Sequence, residues 1–468
     1  MQNQARSSIA SRASRARLRL CFFAAALCLP VVAPAAVQET VLDNGMKIVV
    51  QEDHRSPTVV SQVWYRCGSI DEFNGTTGVA HVLEHMMFKG TEAVPAGQFS
   101  KIIAAAGGRD NAFTSLDHTT YFQQLEKSKL ELSLRMEADR MNNLTFSEKE
   151  FVPEMKVIME ERRMRTDDKP HAMVAETMSA AMYLAHPYHH PIIGWMSDLE
   201  TMKLSDARDW YKRWYAPNNA VLVVVGDVAP QEVFDLARKY FGPLPSRALP
   251  ERKAQVEPEQ LGTRRVRVRA TAELPYLALG WHVPVVRNID SDWEPFALEV
   301  LSAVLDGNDS ARLPRKLVRE SRLASNVDVG YDPLRRGPGG FVVDATPSEG
   351  RTIDELESAL KAEIDRVKQE GVTADELDRV KAQVVAAHVF QRDSMFYQAM
   401  QIGNFETTGF SWRDIDKVLE RIRAVTAEQV KEVAVKYFVD DHLTVAVLDP
   451  LASETKRADA AAGGHNAK

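Results

Sequence analysis

Two stretches of this chain, 222 residues apart, share one pattern of polar and apolar residues. Residues 215–225 read Tyr-Ala-Pro-Asn-Asn-Ala-Val-Leu-Val-Val-Val, and residues 437–447 read Tyr-Phe-Val-Asp-Asp-His-Leu-Thr-Val-Ala-Val. Each stretch passes from a helix end through a polar turn into an apolar strand. Repetition at a fixed offset indicates that one folding unit occurs twice. We therefore predict an α+β fold made of two homologous domains.

A charged stretch without periodicity separates the two repeats. It contains four prolines, which interrupt helices and strands: Pro243, Pro245, Pro250 and Pro258. We predict an N-terminal domain over residues 37–242, a linker over residues 243–262 and a C-terminal domain over residues 263–450. Residues 451–468 are rich in alanine, glycine and polar side chains, which predicts a disordered tail.

The first 36 residues have the composition of a targeting segment. Five arginines and no acidic residue precede an apolar run over residues 20–32, and Ala33, Pro34 and Ala35 offer a cleavage site of small residues. This pattern predicts a signal peptide cleaved near Ala35 or Ala36, and hence a periplasmic or secreted protein. A mitochondrial presequence, which would direct the protein to the matrix, is the alternative.

Removal of this leader makes the protein more acidic. The formal net charge of −7 becomes −12 when the five arginines leave. An acidic surface without basic clusters argues against nucleic acid as a partner. The apolar run is too short to span a bilayer comfortably, so we expect no membrane span after cleavage.

Residues 81–85 read His-Val-Leu-Glu-His, which is the strongest chemical signal in the chain. On a helix, His81 and His85 share one face, so both imidazoles can bind one metal ion, with Glu84 beside them. Because only 12 of 468 residues are histidine, chance rarely produces this spacing. Apolar residues on both sides predict a partly buried helix, in which polar side chains need a partner. We interpret the motif as the zinc site of a hydrolase.

A catalytic zinc site needs a third protein ligand, and a second helix rich in acidic residues offers candidates. Glu154 and Glu161 are seven residues apart, so they share a face of that helix. Glu160 lies one step off this face, and we interpret it as a solvent-exposed side chain.

Other cysteine and histidine residues are potential metal ligands, but we assign them structural roles. Cys67 is alone in the chain after the leader, which rules out an internal disulfide. We interpret His118 as a strand-surface residue, and His189 and His190 as part of a surface loop.

These residues resemble the pitrilysin (inverzincin, M16) family of zinc metallopeptidases. The matching stretches occur in the same order as in that family: residues 64–72, 78–91, 107–114, 186–188, 194–195, 215–219 and 226–227. The resemblance implies a mixed, mainly antiparallel sheet covered by helices in each half. It also implies a bacterial two-chain type, similar to the beta subunit of the mitochondrial processing peptidase.

The resemblance assigns roles to the residues of the motif and of the acidic helix. It implies that His81, His85 and Glu161 bind one Zn²⁺ per chain. Glu84 would be the general base. Glu154 would support the catalytic site without binding the metal.

Residues 111–114, Asn-Ala-Phe-Thr, follow a Gly-Gly turn and form a strand-like segment. From the residues alone, an ordinary core strand is the more typical interpretation. The resemblance instead implies an edge strand that binds the peptide substrate by strand addition. Asn111 and Ala112 would then be substrate-binding residues.

The second half lacks the metal motif, and its matching helix, residues 295–305, has the pattern of a packing helix. In the family, this half supplies a substrate-binding arginine and, seven residues later, a tyrosine. Arg319 matches the arginine, but Asn326 or Ser325 stands where the tyrosine is expected. Tyr331 is too distant to fill that role. The resemblance therefore implies a heterodimer with a homologous chain that carries the arginine–tyrosine pair, and a homodimer is the alternative.

The expected function is zinc-dependent endopeptidase activity on peptides or small unfolded polypeptides. The alternative is a non-catalytic core or scaffold subunit of the same fold. Such scaffolds usually lose the metal-site residues, whereas His81, Glu84, His85 and Glu161 are all present. The sequence therefore favours the enzyme.

Overall fold

The apolar runs of the chain form two β-sheets in the computed structural model, which describes residues 37–451. The predicted leader, residues 1–36, and the predicted tail beyond Leu451 lie outside the described residues. The first sheet has the strand order β1-β2-β6-β3-β5-β4, and the second has the order β7-β11-β8-β10-β9. The strands are β1 (Val37–Val41), β2 (Lys47–Glu52), β3 (Thr58–Tyr65), β4 (Arg109–Thr114), β5 (Thr119–Glu126), β6 (Ala220–Gly226), β7 (Arg264–Thr271), β8 (Tyr276–Val283), β9 (Ala324–Tyr331), β10 (Gly339–Pro347) and β11 (Leu443–Leu451).

Helices connect and cover these strands. They are α1 (Val79–Met86), α2 (Phe99–Ala105), α3 (Leu130–Asn143), α4 (Glu148–Arg162), α5 (Pro170–Met182), α6 (Met196–Thr201), α7 (Leu204–Trp214), α8 (Pro230–Tyr240), α9 (Glu294–Asp306), α10 (Ile353–Glu370), α11 (Ala374–Gln391), α12 (Met395–Thr408), α13 (Ile415–Ala424) and α14 (Ala427–Tyr437). Threonine side chains accept hydrogen bonds from first-turn amides at the start of α10, α11 and α14, which fixes where these helices begin. Across residues 37–451, none of the helices has the length and apolar character needed to cross a bilayer.

Apart from β1, which has no counterpart among the described strands of the second sheet, the two sheets follow the same topology, as the repeat predicts. Strand β6 runs parallel to β2 and antiparallel to β3, and β11 runs parallel to β7 and antiparallel to β8. The repeated segments form β6 and β11, each reached from a helix through a short turn. The predicted α+β fold with two homologous halves, each a mixed and mainly antiparallel sheet covered by helices, is confirmed.

Two helices pack across the predicted domain boundary. Helix α5, from the first half of the sequence, buries Val174 and Met178 against β7, β8 and β11 of the second sheet. Helix α12, from the second half, buries Ala399 and Ile402 against β2, β3 and β6 of the first sheet. Each half therefore completes the core of the other.

The predicted linker connects α8 to β7, and residues 243–263 contain neither helix nor strand. Its side chains nevertheless bind the first half. Arg252 donates to Asp71 Oδ1 (2.7 Å), and its guanidinium lies 4.3 Å from the ring centre of Trp214. Glu257 accepts hydrogen bonds from three consecutive backbone amides, residues 184–186, at 2.6–2.9 Å. The exact bounds of the predicted domains stay a prediction.

Candidate metal centre

Helix α1 carries the His-x-x-Glu-His motif, and a buried carboxylate fixes its start. Gly78 precedes the helix with φ of 86°, a conformation that glycine adopts without strain. The carboxylate of Glu72 accepts hydrogen bonds from the backbone N–H groups of Gly78 and Ala80, both at 2.8 Å. These bonds satisfy amides that have no partner within the helix. The apolar residues Val82, Leu83 and Met86 bury the other side of α1 in the core.

The fold brings three predicted ligands together. His81 and His85 lie one turn apart on α1, and Glu161 lies near the end of α4. Glu161 Oε2 is 3.4 Å from His85 Nε2 and 3.8 Å from His81 Nε2. One donor atom from each of the three residues lies within 4.8 Å of the other two. Among residues 37–451 this is the cluster of histidine, cysteine and acidic side chains that could hold a metal ion.

The arrangement of these donors fits zinc. Two imidazole nitrogens and one carboxylate oxygen are a common ligand set for catalytic Zn²⁺. Ligands bound at about 2.0 Å in a tetrahedral site are separated by about 3.3 Å, close to the two distances measured here. Burial and the charge of His85 lower the pKa of His81, so its imidazole is neutral and its lone pair is available. His81, His85 and Glu161 are therefore the residues that would hold the metal.

Glu154 contacts the far side of the His85 ring. His85 Nδ1 lies 2.8 Å from Glu154 Oε1, and Lys89 forms an ion pair with the other oxygen of Glu154. Burial opposes the charge on His85, but hydrogen bonds with Glu154 and Glu161 raise its pKa to about 9. A metal ion would have to displace the proton on Nε2, while the proton on Nδ1 could stay with Glu154. Glu154 thus lies where a supporting residue is predicted.

Glu84 lies on the same face of α1 and points towards β4. Its Oε2 accepts a hydrogen bond from Thr114 Oγ1 at 2.6 Å. Burial raises the pKa of Glu84, and the hydrogen bond from Thr114 only partly offsets that effect. A carboxylate whose pKa is raised binds a proton more tightly than a free glutamate, which suits a group that first accepts and then returns a proton.

A cavity of about 550 Å³ connects the three ligands, Glu84 and strand β4. Strand β4 is the edge of the first sheet, so the interpretation as an ordinary core strand is wrong. Asn111 and Ala112 line the cavity, and the Asn111 side chain accepts a hydrogen bond from the Ala112 amide (2.9 Å). The edge strand therefore lies beside the candidate metal centre, where an extended peptide could pair with it.

The second-half residues predicted from the resemblance lie elsewhere. Arg319 is exposed and is not among the described residues that line the cavity. Asn326 lies on β9 and donates to Asp328. The hydroxyl of Tyr331 donates to Pro284 O (2.7 Å), which is consistent with its being too distant for the missing role. A substrate-binding role for Arg319 stays a prediction.

Two interpretations of histidines need correction. His118 is buried against Trp64, with ring centres 4.6 Å apart, and is not on the surface of a strand. His190 is also buried, and its Nε2 lies 3.0 Å from Asn74 Oδ1. Burial lowers the pKa of His118 to about 3 and that of His190 to about 4, so both rings are neutral. Tertiary packing, which short sequence patterns do not report, determines their environment.

Three contacts of the site were not assigned from the sequence: those of Lys89, Thr114 and Arg165. Arg165 follows Glu161 by four residues, one helical turn, and its Nη1 lies 3.0 Å from Glu161 Oε1. That spacing is a signal which the sequence does contain. The contacts of Lys89 and Thr114 depend on long-range packing, so no local pattern indicates them.

Comparison with known proteins gives a consistent result. The insulinase (peptidase family M16) model matches residues 47–195, and the peptidase M16 inactive domain model matches residues 201–384. The chain is 32% identical over 421 residues to a Helicobacter pylori protein named zinc protease PqqE, covering 88% of this chain and 93% of that protein. It is 30% identical over 429 residues to an uncharacterized zinc protease of Mycobacterium leprae, covering 90% and 93%. The crystal structure of a protease from Helicobacter pylori superposes with a TM-score of 0.84 at 31% identity, covering 89% of this chain and 100% of that one.

Proposed function

Because this chain belongs to peptidase family M16, we propose that it is a zinc-dependent endopeptidase that hydrolyses peptides or small unfolded polypeptides. One observation carries this proposal. The donor atoms of His81, His85 and Glu161 converge beside Glu84, in a cavity bordered by an edge strand. This combination provides a metal site, a base and a place for a peptide backbone.

The proposed mechanism divides the chemistry between the metal and the protein. Zn²⁺, when bound by His81, His85 and Glu161, supplies a Lewis acid that polarises the scissile carbonyl and acidifies water. Glu84 accepts a proton from the attacking water and later donates it to the leaving amine. The hydrogen bond from Thr114 holds the Glu84 carboxylate in the cavity during both transfers.

The substrate class follows from the cavity and the edge strand. An extended peptide that pairs with β4 gains backbone hydrogen bonds, and these make few demands on its sequence. A cavity of about 550 Å³ has room for a few side chains but not for a folded domain. Asn111 and Ala112 are the proposed contacts of the backbone.

Metal content and two variants of the full chain test this function. We expect about one zinc per chain, lost in His81→Ala, because two ligands alone do not make a catalytic site. Glu84→Gln should keep zinc but lose at least about 100-fold in peptide cleavage, because no proton acceptor remains. A chain without zinc, or a wild type that cleaves no peptide above background, would support the scaffold alternative. Equal cleavage by wild type and Glu84→Gln would contradict the role of Glu84 as the base.

We further propose that this chain is the zinc-bearing subunit of a heterodimer. The exposed position of Arg319 and the absence of a tyrosine at residue 325 or 326 support this arrangement. Because loss of an oxyanion donor costs about 100-fold in rate, the purified chain should cleave peptides poorly. Adding the homologous chain that co-purifies from its own cell should raise the rate by about that factor. No gain on mixing would favour a homodimer.

We propose a periplasmic or secreted location on the basis of residues 1–36 alone. N-terminal sequencing of the mature protein tests it. A mature chain starting near residue 36, recovered from the periplasm or medium, is the expected result. Recovery from a mitochondrial matrix would contradict it.

A further inference from the structure

Arg165 places a guanidinium group in the cavity next to a proposed metal ligand. It lies in a π-helical turn, Arg163–Asp167, that continues α4. Its Nη1 contacts Glu161 Oε1 at 3.0 Å, whereas Glu161 Oε2 faces the two imidazoles. The Arg165 side chain is 74% exposed, so most of its N–H donors are not used by the protein.

The two neighbouring arginines have different environments. Arg162 is buried and binds both oxygens of Glu176 at 2.9 Å, so its role is structural. Arg163 pairs with the exposed Glu160 at 3.0 Å and does not line the cavity. Among the described residues that line the cavity, Arg165 is the only lysine or arginine.

Once the other charges in the cavity are paired, no carboxylate among its described lining residues remains to neutralise the positive charge of Arg165. Three carboxylates line the cavity, those of Glu84, Glu161 and Glu176, but the last is held by the buried Arg162. The two positive charges of a bound Zn²⁺ would offset Glu84 and Glu161. The remaining wall includes the apolar side chains of Ile192 and Ile193. An acidic group of a bound peptide would therefore form an ion pair with Arg165.

We propose that Arg165 binds a carboxylate of the substrate, so that the enzyme favours peptides with an acidic group next to the scissile bond. This inference rests on the proposed peptidase function. Arg165 contacts Glu161, a proposed ligand of the metal at which the scissile carbonyl would bind. A carboxylate bound by Arg165 would therefore lie next to the scissile bond. The carboxylate belongs either to a Glu or Asp side chain or to the C-terminus of a short peptide, and both share the same chemistry.

Paired peptides test the preference. One series of fluorogenic peptides carries Glu or Gln at each position around the cleaved bond, and another carries a free or an amidated C-terminus. For wild type, kcat/KM should be about three- to tenfold higher for the acidic member at one position or end. Arg165→Gln should reduce that ratio to about one, whereas Arg163→Gln, the matched control, should leave it unchanged. The series that shows the ratio identifies the source of the carboxylate.

Binding without cleavage provides a second readout. Zinc-loaded Glu84→Gln and the double variant Glu84→Gln/Arg165→Gln are titrated with the acidic peptide, and fluorescence anisotropy gives Kd. The double variant should bind the acidic peptide about three- to tenfold more weakly and the Gln peptide equally well. Zinc content of both proteins shows whether the loss arises at the metal instead.

The outcomes separate this inference from the proposed function. The carboxylate site is overturned if wild type cleaves the acidic and neutral peptides with equal kcat/KM. It is also overturned if the acidic-to-neutral ratio of kcat/KM is the same in wild type and Arg165→Gln. Neither result contradicts the peptidase function. Arg165-dependent binding with no cleavage of any peptide, by wild type alone or mixed with the co-purifying homologous chain, supports the carboxylate site and contradicts the peptidase.

Discussion

At the level of single residues, two histidines of one motif have opposite electrostatics. His81 and His85 lie one turn apart on α1, yet burial lowers the pKa of His81, whereas Glu154 and Glu161 raise that of His85. The difference comes from α4, which is far away in sequence. A five-residue motif therefore predicts which atoms could bind a metal but not their protonation.

Glu154→Gln tests the support that α4 gives to His85. The variant loses the anionic partner of His85 Nδ1 and of Lys89, so we expect zinc affinity to fall by about 10- to 100-fold. Competition with a chelator of known affinity measures it. Glu160→Gln is the control, because Glu160 is 60% exposed and contacts Arg163 outside the site. Unchanged affinity in Glu154→Gln would show that Glu154 does not support the metal.

Asp306 gives a pH-dependent prediction outside the site. Burial and the nearby charges of Asp328 and Asp344 raise its pKa to about 6. A raised pKa means that the folded protein binds this proton more tightly, so stability falls as pH rises from about 4 through 6. Asp306→Asn removes the charge and keeps an acceptor for the Val329 amide. Because Asp306 is partly exposed, we expect a gain of only about 1 kcal/mol at pH 7.5, or about 1–2 °C in Tm.

Thermal unfolding of both proteins at pH 4 and pH 7.5 checks this expectation. The gain from Asp306→Asn should be present at pH 7.5 and nearly absent at pH 4, where Asp306 of the wild type is protonated. An equal difference at both values would show that ionisation of Asp306 is not its cause.

At the level of elements, the sequence predicts what depends on local pattern. The repeated segments correctly predict β6 and β11, and the His-x-x-Glu-His motif correctly predicts a buried helix. Periodicity reports that a segment is buried, but not which sheet covers it. For that reason the residue pattern of 111–114 did not indicate their edge position, which the family resemblance alone implied, and the exchange of α5 and α12 between sheets could not be predicted.

Gly403 shows how closely an exchanged helix packs. A Cβ atom on this residue of α12 would overlap the indole of Trp64, which is buried and donates to Gln62 Oε1 (2.9 Å). Replacing a helical glycine with alanine usually stabilises by about 1 kcal/mol, but overpacking a rigid core costs about 1–3 kcal/mol. We therefore expect Gly403→Ala to lower Tm.

Thermal unfolding of Gly403→Ala beside Asn404→Ala measures the balance. The neighbouring half-buried Asn404 gains helix propensity without meeting Trp64, so Asn404→Ala should be neutral or slightly stabilising. If Gly403→Ala is as stable as wild type, α12 can move away from the first sheet at little cost.

At the level of the whole molecule, the second half also contacts the loops that flank the site. Arg336, between β9 and β10, donates from Nη1 to Asp71 Oδ2 (3.1 Å) and to Asp117 O (3.0 Å). Asp71 precedes Glu72, which caps α1, and Asp117 lies in the turn that follows β4. One arginine of the second half thus connects to both walls of the metal centre.

Arg336→Ala should therefore affect catalysis as well as stability. It leaves Asp71 with Arg252 as its remaining cation, and loss of one partner from a buried ionic network costs about 3–5 kcal/mol. At a temperature where the variant is folded, kcat should fall several-fold while zinc content is unchanged, because the loops that hold α1 and β4 lose their connection to the second half. Arg336→Lys should restore part of both losses.

The control is Arg335→Ala, whose pair with Asp332 (3.1 Å) lies within the second half and which should not change kcat. If both alanine variants lose stability but keep the wild-type kcat, the contact holds the halves together without positioning the catalytic residues.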